Sequence, residues 1–409
     1  MKIYRVGGSV RDHLLGLERK DNDWVVVGAT PEQMIEQGYK PVGKDFPVFL
    51  HPDTKDEYAL ARTERKTAPG YTGFQFHTSP DVAIEEDLRR RDLTINAIAE
   101  TENGEIIDPY GGAEDLKQRR LRHVSEAFAE DPVRILRIAR FAARFAPLGF
   151  HVAKETNELM KQMVQSGEVD TLVPERVWAE MARALTESEP QIFFETLKNC
   201  TALAVIFPEI DRLFGVPQRA EYHPEVDTGI HTMMVLKRAS ELSNDPIIRF
   251  AALVHDLGKG ETPEDEWPRH HEHEKRSVKL VKTLCSRIRT PKAYQELALD
   301  VAEFHGKCHR ADELKPKTVL KMLKSLGAFR KPDKFTNFLI SCQADAQGRL
   351  GKENTPYPQR QLLQSYFDAA NQITASKLME QGLSGAALGE AIDRERTKAI
   401  AKIKSQIEQ

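Results

Sequence analysis

The hydrophobic pattern of this 409-residue chain changes once, near Phe128. Before that point the apolar residues lie in short runs rich in β-branched and aromatic side chains, which are typical of strands. Those runs are KIYRV, DWVVVGA, PVFLH, EYALAR and EIIDPYGG. Beyond it, stretches such as PVRILRIARFAARF, ERVWAEMARAL and KPKTVLKMLKSLG repeat apolar residues at i, i+3 and i+4, which predicts helices. The sequence therefore predicts an α/β head, with helices around a small mixed sheet, followed by an all-α body.

The length of the chain favours several domains over one. We predict a head over residues 1–140, a helical neck and body over 141–222, a histidine-rich helical domain over 223–330 and a helical tail over 331–409. Two stretches rich in proline and charge are candidate connections: GVPQRAEYHPEVDTG, near His223, and GRLGKENTPYPQR, before the tail.

The composition, with 40% hydrophobic and 30% charged residues, is that of a soluble folded protein. No run of about 18 apolar residues occurs, so no transmembrane helix and no membrane partner are expected. The first residues, MKIYRVGGSVRD, are too polar for a signal peptide. The four cysteines form no CxxC pair, which favours reduced thiols in a cytoplasmic protein.

The first candidate site begins with GGSVRD, directly after the predicted strand KIYRV. Gly7 and Gly8 would let backbone N–H groups approach a phosphate closely. Ser9 could add a hydroxyl donor, and Arg11 a guanidinium for phosphate or ribose. A tight strand-to-helix turn without a ligand is the alternative interpretation.

Two acids, Asp21 and Asp23, stand one residue apart at the start of the apolar run WVVVG. On a strand they point to the same side, where like charges repel unless a cation lies between them. Mg²⁺ prefers such oxygen ligands and shares them with substrate phosphates. Two solvated loop acids are the alternative for this motif on its own.

The next candidate segment along the sequence is basic and reads DLRRRDLTINA. Arg89 to Arg91 could bind triphosphate oxygens, or could form a solvated basic turn. Asp92 is expected to orient one of these arginines, and Asn96 to bond backbone or ribose. In the following DPYGG, Asp108 and the glycine pair predict a turn that closes the sheet.

The helix predicted from EDPVRILRIARFAARF carries a stripe of arginines on an otherwise apolar surface. Asp131 is expected to be its N-cap, with Pro132 as its first residue. The stripe consists of Arg134, Arg137, Arg140 and Arg144. Beyond the acids at the start, no acid lies three or four residues away to pair with them. An unpaired arginine stripe favours a surface that faces phosphate.

A second candidate site lies in the helical body, where eight of the 13 histidines fall between residues 220 and 310. His255 and Asp256 are adjacent in LVHDLGKG. The other members of the set are His223, His231, His270, His271, His273, His305, His309 and the later Asp345. Imidazole combined with carboxylate suits a divalent transition metal such as Ni²⁺, Mn²⁺, Co²⁺ or Zn²⁺.

The five segments GGSVRD, DNDWVVVG, RRRDLTINA, DPYGGAEDL and EDPVRILRIARF resemble, in that order, the class II nucleotidyltransferases, which include tRNA CCA-adding enzymes and bacterial poly(A) polymerases. ERVWAEM is similar to the neck segment that follows in that superfamily. The resemblance implies that a tRNA 3′-hydroxyl attacks the α-phosphate of CTP or ATP without a nucleic-acid template. It also implies that catalytic Asp21 and Asp23 hold Mg²⁺.

The same resemblance assigns further residues. Those expected to hold the incoming nucleotide are Gly8, Arg11, Arg91, Arg137 and Arg140. Asp131 and Arg134 are expected to read the base edge, because Asp accepts from the amine shared by C and A while Arg donates to a ring nitrogen or carbonyl oxygen. Glu64, on a later strand, is a candidate third carboxylate.

The histidine set resembles the HD phosphohydrolase superfamily. His231, His255 and Asp256 match its metal ligands, with His255 and Asp256 as the catalytic pair, while His271, His273, His305 and Asp345 remain candidates to complete the ligand set. An HD domain appended to a CCA-adding enzyme implies 2′,3′-cyclic phosphodiesterase, 2′-nucleotidase and phosphatase activities.

Three functions follow as hypotheses. The first is CCA addition to the tRNA 3′ end combined with phosphohydrolysis, by a monomer or homodimer. The second is poly(A) polymerase, which the histidine cluster and the lack of a strongly basic C-terminal tail disfavour. The third is a tRNA-binding protein with a decayed head, which the complete set of acids and arginines disfavours. KPKTVLKMLKSLGAFRKPDK is a basic candidate for RNA contact, or a solvated helix face.

Overall fold

The computed structural model describes residues 1–19, 22–42, 48–66, 74–380 and 382–407. The chain forms two compact units, Met1–Ala184 with Ile192–Ile206, and Leu185–Gln191 with Phe207–Gln409. The four domain ranges given above stay predictions. No helix among the described residues is long and apolar enough to cross a membrane.

The regular elements follow the predicted change from strands to helices. The strands are β1 Lys2–Val6, β2 Asp23–Val27, β3 Lys40–Val42, β4 Val48–Leu50, β5 Glu57–Leu60, β6 Arg62–Lys66, β7 Phe74–Thr78, β8 Ala99–Thr101, β9 Ile106–Ile107, β10 Arg120–Leu121 and β11 His151–Val152. The helices are α1 Gly8–Leu14, α2 Pro31–Glu36, α3 Ile84–Arg89, α4 Gly112–Lys117, α5 Val133–Phe145, α6 Lys154–Gln165, α7 Pro174–Ala184, α8 Gln191–Asn199, α9 Ala202–Ile206, α10 Pro208–Asp211, α11 Thr228–Leu242, α12 Pro246–Val254, α13 His273–Arg287, α14 Lys292–His309, α15 Pro316–Ser325, α16 Pro332–Gln347, α17 Pro358–Asn371, α18 Ala375–Met379 and α19 Gly385–Ile407. An α/β head followed by a helical body is therefore confirmed.

The first unit is built around a sheet with the strand order β3-β4-β5-β2-β1-β8-β9. Because β2 runs antiparallel to β1 and parallel to β5, the sheet is mixed, as predicted. Val25 packs in one core with Val6, whereas the next residue, Val26, packs in another with Met34. Successive side chains of a strand point to opposite faces, so β2 is covered on both, which explains its uninterrupted apolar run.

The expected turn at DPYGG is formed by Asp108, whose two carboxylate oxygens accept from the backbone N–H groups of Gly112 and Ala113 at 2.7 and 2.8 Å. Gly112 is required there by space, since a Cβ would lie 2.2 Å from the carbonyl oxygen of Thr94. The turn thereby fixes α4 against the short helical segment that carries Asn96.

The second unit is helical, and small side chains let its helices approach closely. Val235 and Ala239 of α11 form a core with Ala252 of α12 and Ala344 of α16. The predicted linker GVPQRAEYHPEVDTG lies inside this unit, where Asp227 caps α11 by accepting from the N–H of Ile230 at 2.9 Å. All four cysteines are buried and free, as expected.

Candidate active sites

The turn after β1 brings Gly7, Arg91 and Asp23 together. Asp23 is the first residue of β2 and lies in register with Val6 at the end of β1. Gly7 has a φ of +70°, and a Cβ there would lie 2.9 Å from Nη1 of Arg91 and 3.9 Å from Oδ2 of Asp23. Glycine is the residue that adopts this conformation and leaves this space. Asp21 and the side chain of Glu64 lie outside the described residues.

These groups line a cleft of about 640 Å³ in the first unit. Its lining residues are Gly7, Gly8, Arg11, Asp23, Arg90, Arg91, Asp92, Asn96, Asp131, Arg134, Arg137, Arg140, Phe141, Arg144, Arg176 and Arg183. The lining includes all seven residues to which the resemblance assigned nucleotide binding or base reading, whereas Ser9 and Arg89 do not line the cleft. Nine arginines against three aspartates give the cleft a surplus of guanidinium groups, which suits a polyanion.

The arginine stripe of α5 is paired, which corrects the prediction of an unpaired one. The pairs are Arg137 with Asp92 at 2.7 Å, Arg140 with Glu180 at 2.6 Å, and Arg144 with Asp12 at 3.2 Å. The prediction considered only acids within one turn of the same helix, whereas these acids come from other elements. Arg140 is buried, and a buried cation requires such a partner, whereas Arg137 and Arg144 are about a third exposed.

Asp92 is the acid at the centre of this network. It accepts from Asn96 at 3.0 Å, and Asn96 in turn accepts from Arg11 at 2.6 Å. Burial alone would raise the pKa of Asp92, but the guanidinium of Arg137 and the amide of Asn96 hold that pKa well below its usual range. Asp92 is therefore a fixed anion that positions cations in the cleft.

Asp92, which was expected to orient one of Arg89 to Arg91, pairs with Arg137 at 2.7 Å. Arg90 and Arg91 instead pair with the buried Asp87, at 2.8 and 3.2 Å. Asp87 precedes these arginines by three and four residues on α3, which is the spacing at which helical side chains meet. The acid that orients the basic segment is thus the one before it, at the start of DLRRRD.

The start of α5 lies one residue later than predicted, at Val133. Asp131 still accepts from the N–H of Val133 at 3.1 Å, as an N-cap would. The same carboxylate accepts two hydrogen bonds from Arg176 of α7, at 3.1 and 2.7 Å. Arg134 donates to the carbonyl oxygens of Ala127 and Arg90, at 2.9 and 2.7 Å.

Three residues of α7 belong to this site and were not predicted from the sequence. Arg176 binds Asp131, Glu180 binds Arg140, and Arg183 lines the cleft. They are spaced i, i+4 and i+7 and so share one face of the helix. The same spacing can be read from the sequence ERVWAEMAR, and it was the signal from which a charged helix face could have been predicted.

In the second unit, four histidines each donate from Nδ1 to a main-chain carbonyl oxygen. The Nδ1–oxygen distances are 3.1 Å from His231 to Gly348, 2.7 Å from His255 to Ala252, 2.9 Å from His273 to His270 and 2.9 Å from His305 to Val301. A carbonyl partner fixes the proton on Nδ1 and leaves the Nε2 lone pair for a metal ion. All four Nε2 atoms are therefore available to bind a metal ion.

Two aspartates face these Nε2 atoms. Asp256 lies with Oδ2 3.2 Å from His255, and with Oδ1 3.3 Å from both His273 and His305. Asp345, the last candidate in the sequence, lies with Oδ1 3.2 Å from Nε2 of His231. The two carboxylates are thus in contact with all four imidazoles.

This donor set fits a cation. Potential ligand atoms lie within 4.8 Å of one another in overlapping groups: His231, His255 and Asp256; His255, His305 and Asp345; and Asp256, His273 and His305. Nε2 of His255 and Oδ1 of Asp256 are buried and have no hydrogen-bond partner among the described residues. Burial opposes the charged form, yet Asp256 and Asp345 raise the pKa of His255 to about 10. The cluster therefore attracts positive charge strongly.

The structure separates the histidines that the sequence left open. His273 and His305 belong to the cluster, whereas His271 is exposed. His270 is bonded through Nε2 to the carbonyl oxygen of Pro217 at 2.8 Å. Nε2 of His309 lies 2.6 Å from Oδ2 of Asp345, the oxygen that lies 3.6 Å from Nε2 of His255.

Glu225 comes from the predicted linker and was not singled out in the sequence. Its Oε1 lies 3.0 Å from Nδ1 of His231 and 3.1 Å from Nδ1 of His223. Burial alone would raise the pKa of Glu225, but hydrogen bonds from the two histidines hold it well below its usual range. Glu225 therefore supports the ring of His231 from behind the cluster.

Family models match three segments of the chain. They are the poly A polymerase head domain over residues 3–122, the probable RNA- and SrmB-binding site of polymerase A over 149–214, and the HD domain over 228–334.

Whole-chain relatives share the same architecture. The multifunctional CCA protein of Thioalkalivibrio sulfidiphilus is 61% identical over 406 residues, covering 99% of both chains. That of Nitrosococcus oceani is 60% identical over 400 residues, covering 98% of both chains. Among solved structures, a CCA-adding enzyme in complex with ATP aligns with a TM-score of 0.65 at 20% identity, over 98% of this chain and 86% of that one. The Thermotoga maritima CCA-adding enzyme complexed with tRNA aligns with a TM-score of 0.62 at 19% identity, over 99% of this chain and 90% of that one.

Proposed function

The chain belongs to the multifunctional CCA protein family, and from that premise we propose how its two sites divide the work. It is a tRNA nucleotidyltransferase that adds or repairs the 3′-terminal CCA from CTP and ATP without a nucleic-acid template, and it carries an HD phosphohydrolase domain. Both domains depend on divalent metal ions. The residue roles below are our proposals.

The arginine cleft is proposed as the site of nucleotide addition, and the observation that carries this assignment is the presence of Asp23 and nine arginines in one cleft. Asp21 and Asp23 would hold Mg²⁺, which supplies positive charge to the attacking and leaving oxygens. Gly8, Arg11 and Arg91 would hold the triphosphate near Asp23. Arg137 and Arg140 are already fixed by acids, so only their remaining donors would bind the nucleotide.

Base selection is proposed for Asp131 and Arg134. Asp131 has two carboxylate oxygens, and both are engaged by Arg176. The exocyclic amine of C or A would add a donor to this carboxylate, while U and G would leave buried polar groups unpaired. Arg176 would therefore act as a positioning residue that holds Asp131 toward the base.

The histidine cluster is proposed as the phosphohydrolase site. His231, His255, Asp256 and Asp345 would hold a transition metal, and His273 and His305 would complete the set through Asp256. A site rich in imidazole suits Ni²⁺ and its neighbours better than Mg²⁺. When bound, the metal polarises phosphoryl oxygens and activates water. Hydrolysis would join a water oxygen to phosphorus as the bond from phosphorus to a ribose oxygen breaks, and the proton lost by the water would pass to that ribose oxygen.

We test nucleotide addition with the full chain, Mg²⁺ and tRNA that lacks its 3′ end, supplied with labelled CTP alone, ATP alone or both. Addition that stops after C, C and A is expected. A long A tail would instead support poly(A) polymerase, which the relatives favour less. No incorporation would overturn the assignment of the cleft.

The two sites could act in sequence on one damaged end. A 2′,3′-cyclic phosphate blocks the hydroxyl that must attack the next nucleotide, and the HD site would remove this block. A cyclic-phosphate-ended tRNA should accept CCA with the parent protein but not with His255→Ala. Equal repair by that variant would refute this coupling. We place both reactions in the cytoplasm, where tRNA, CTP and ATP meet.

A further inference from the structure

Arg349 lies at the mouth of the histidine cluster, directly after Gly348 at the end of α16. Gly348 has no side chain to clash with α11, where a Cβ would lie 2.5 Å from Cα of Val235. Its carbonyl oxygen faces Nδ1 of His231. One tight turn thus fixes His231 and places Arg349 four residues after Asp345.

The guanidinium of Arg349 reaches the cluster but is held only by long contacts. Nη2 lies 3.6 Å from Oδ1 of Asp345, the oxygen that also faces His231. Nη1 donates to the carbonyl oxygen of Tyr222 at 3.4 Å. Nε is buried and has no hydrogen-bond partner among the described residues. With five N–H donors available to a guanidinium, most of its capacity is unused.

Two neighbouring cations differ from Arg349 in this respect. Nζ of Lys259 lies 2.6 Å from Asp256 and donates to Gln218 at 2.6 Å, in a nearly buried position. Arg276 donates to Thr262 at 3.0 Å and to the carbonyl oxygen of His271 at 2.7 Å. Both are engaged by short contacts, whereas Arg349 is about 20% exposed and open to an incoming group.

We infer that Arg349 binds the non-bridging oxygens of the substrate phosphate at the HD site, an inference that rests on the proposed phosphohydrolase function. A cation held by Asp345 would take up the charge of this carboxylate, and the long contact between Asp345 and Arg349 would then loosen. A phosphate bound beside that cation keeps oxygens that a guanidinium can bind in bidentate fashion. Arg349 is therefore a substrate-binding residue, and terminal phosphates of RNA are its ligand class.

The experiment uses the full chain loaded with Ni²⁺ and two probes, inorganic phosphate in calorimetric titration and p-nitrophenyl phosphate in steady-state hydrolysis. Arg349→Ala should weaken phosphate binding and raise KM by about tenfold or more, since a charge-assisted hydrogen bond contributes this much. The kcat should change less than KM, and the nickel content should stay at the parent level. Arg349→Lys should recover part of the loss because it keeps the charge but not the fork.

Arg394→Ala is the matched control, because Arg394 is an exposed arginine on α19 that lies 3.9 Å from Glu395. It should leave both probes unchanged. Unchanged phosphate affinity in Arg349→Ala would overturn the inference, as would a fall in nickel content that accounts for the weaker binding. If the parent binds phosphate and Arg349→Ala does not, yet neither hydrolyses an ester, the proposed phosphohydrolase function fails, and what remains is phosphate binding by Arg349 at the cluster.

Discussion

The arginine cleft and the histidine cluster are prepared for opposite charges. The cleft carries nine arginines against three aspartates, and its cations are fixed by acids behind them. The cluster turns Nε2 atoms and two buried carboxylates toward one another. Main-chain carbonyls hold the Nδ1 side of its imidazoles, and Glu225 adds a carboxylate contact to His231. The arginine cleft therefore favours a polyanion that brings a metal ion with it. The histidine cluster favours a metal ion alone.

The comparison shows two ways to stabilise buried charge before a ligand arrives. In the cleft, carboxylates from other elements pair with three arginines of α5, and Asp87 pairs with Arg90 and Arg91. In the cluster, carbonyl groups orient the rings but leave two polar atoms without a partner. Such atoms are costly without a ligand, so the cluster should depend more on its ion than the cleft does on its nucleotide.

The largest expected effect is a separation of the two activities. Asp23→Ala should lower nucleotide addition by about a thousandfold, because a metal ligand at the reacting phosphate stabilises the transition state by several kcal/mol. His255→Ala should lower cyclic-phosphate hydrolysis by a similar factor. Each variant should keep the other activity within about twofold, as measured on tRNA and on cyclic-phosphate RNA. Loss of both activities in one folded variant would show that the sites are not separate.

The next largest effect is a loss of stability when the buried ion pair between Arg140 and Glu180 is broken. Glu180→Gln should lower the free energy of unfolding by about 2 to 3 kcal/mol, because Arg140 would remain buried without its anion. The control is Glu114→Gln, whose exposed pair with Lys117 at 3.8 Å should contribute less than about 1 kcal/mol. Urea unfolding measures both. Equal losses would mean that burial does not distinguish these pairs.

Neighbouring histidines give a sharper test of the cluster. His273→Ala should lower metal affinity by about 10- to 100-fold, while His271→Ala should leave it unchanged, because His273 contacts Asp256 and His271 is exposed. Competition with a chelator measures the affinity. A larger loss in the His271 variant would reverse the assignment.

Substitution of one glycine beside each site tests how little space the surrounding atoms leave for a side chain. Gly348→Ala should destabilise the protein by about 1 to 3 kcal/mol, because its Cβ would meet the backbone of Val235 at 2.5 Å. Gly7→Ala should cost less, about 1 to 2 kcal/mol, because its φ is strained but its contact is the flexible end of Arg91. Thermal unfolding ranks the two. The opposite order would indicate that the strained φ at Gly7 costs more than the clash.

The smallest effect is a pH dependence in the first unit. Burial lowers the pKa of His123, which bonds Thr156 at 2.8 Å through Nδ1. The unfolded chain therefore binds the proton more readily, and this histidine's contribution to stability is present above its ordinary pKa of about 6.5 and lost as the pH falls toward the lowered value. The difference in unfolding free energy between the parent and His123→Gln should shrink with acidification. A difference that grows instead would contradict the sign.

The sequence pattern predicted those features that depend on residues close together in the chain. The strands β1 and β2, the helix α5 and the arginine stripe were all visible, because side-chain period and residue type determine them. The partners of that stripe were not, since Asp92 and Glu180 are joined to it by folding alone. Likewise, the sequence could not distinguish His271 from His273, which are two residues apart but differ in burial.

The sheet order and the role of α7 were also beyond the sequence argument. β2 pairs in parallel with β5, and the residues of either strand alone do not determine which strand is its neighbour. Arg176 stood in a segment already noted, and its hydrogen bond to Asp131 became visible once α7 placed the two side chains together. Resemblance selected the candidate residues, and the geometry shows which of their atoms meet.

The contact between His231 and Asp345 joins positions 114 residues apart. An ion held by both would act as a reversible cross-link, closing most of the second unit into a ring that also includes α12 and α14. Such a closure removes conformational freedom from the unfolded chain, so the ion would strengthen the unit as well as serve its chemistry. Metal supply would then set how long this half of the protein survives proteolysis.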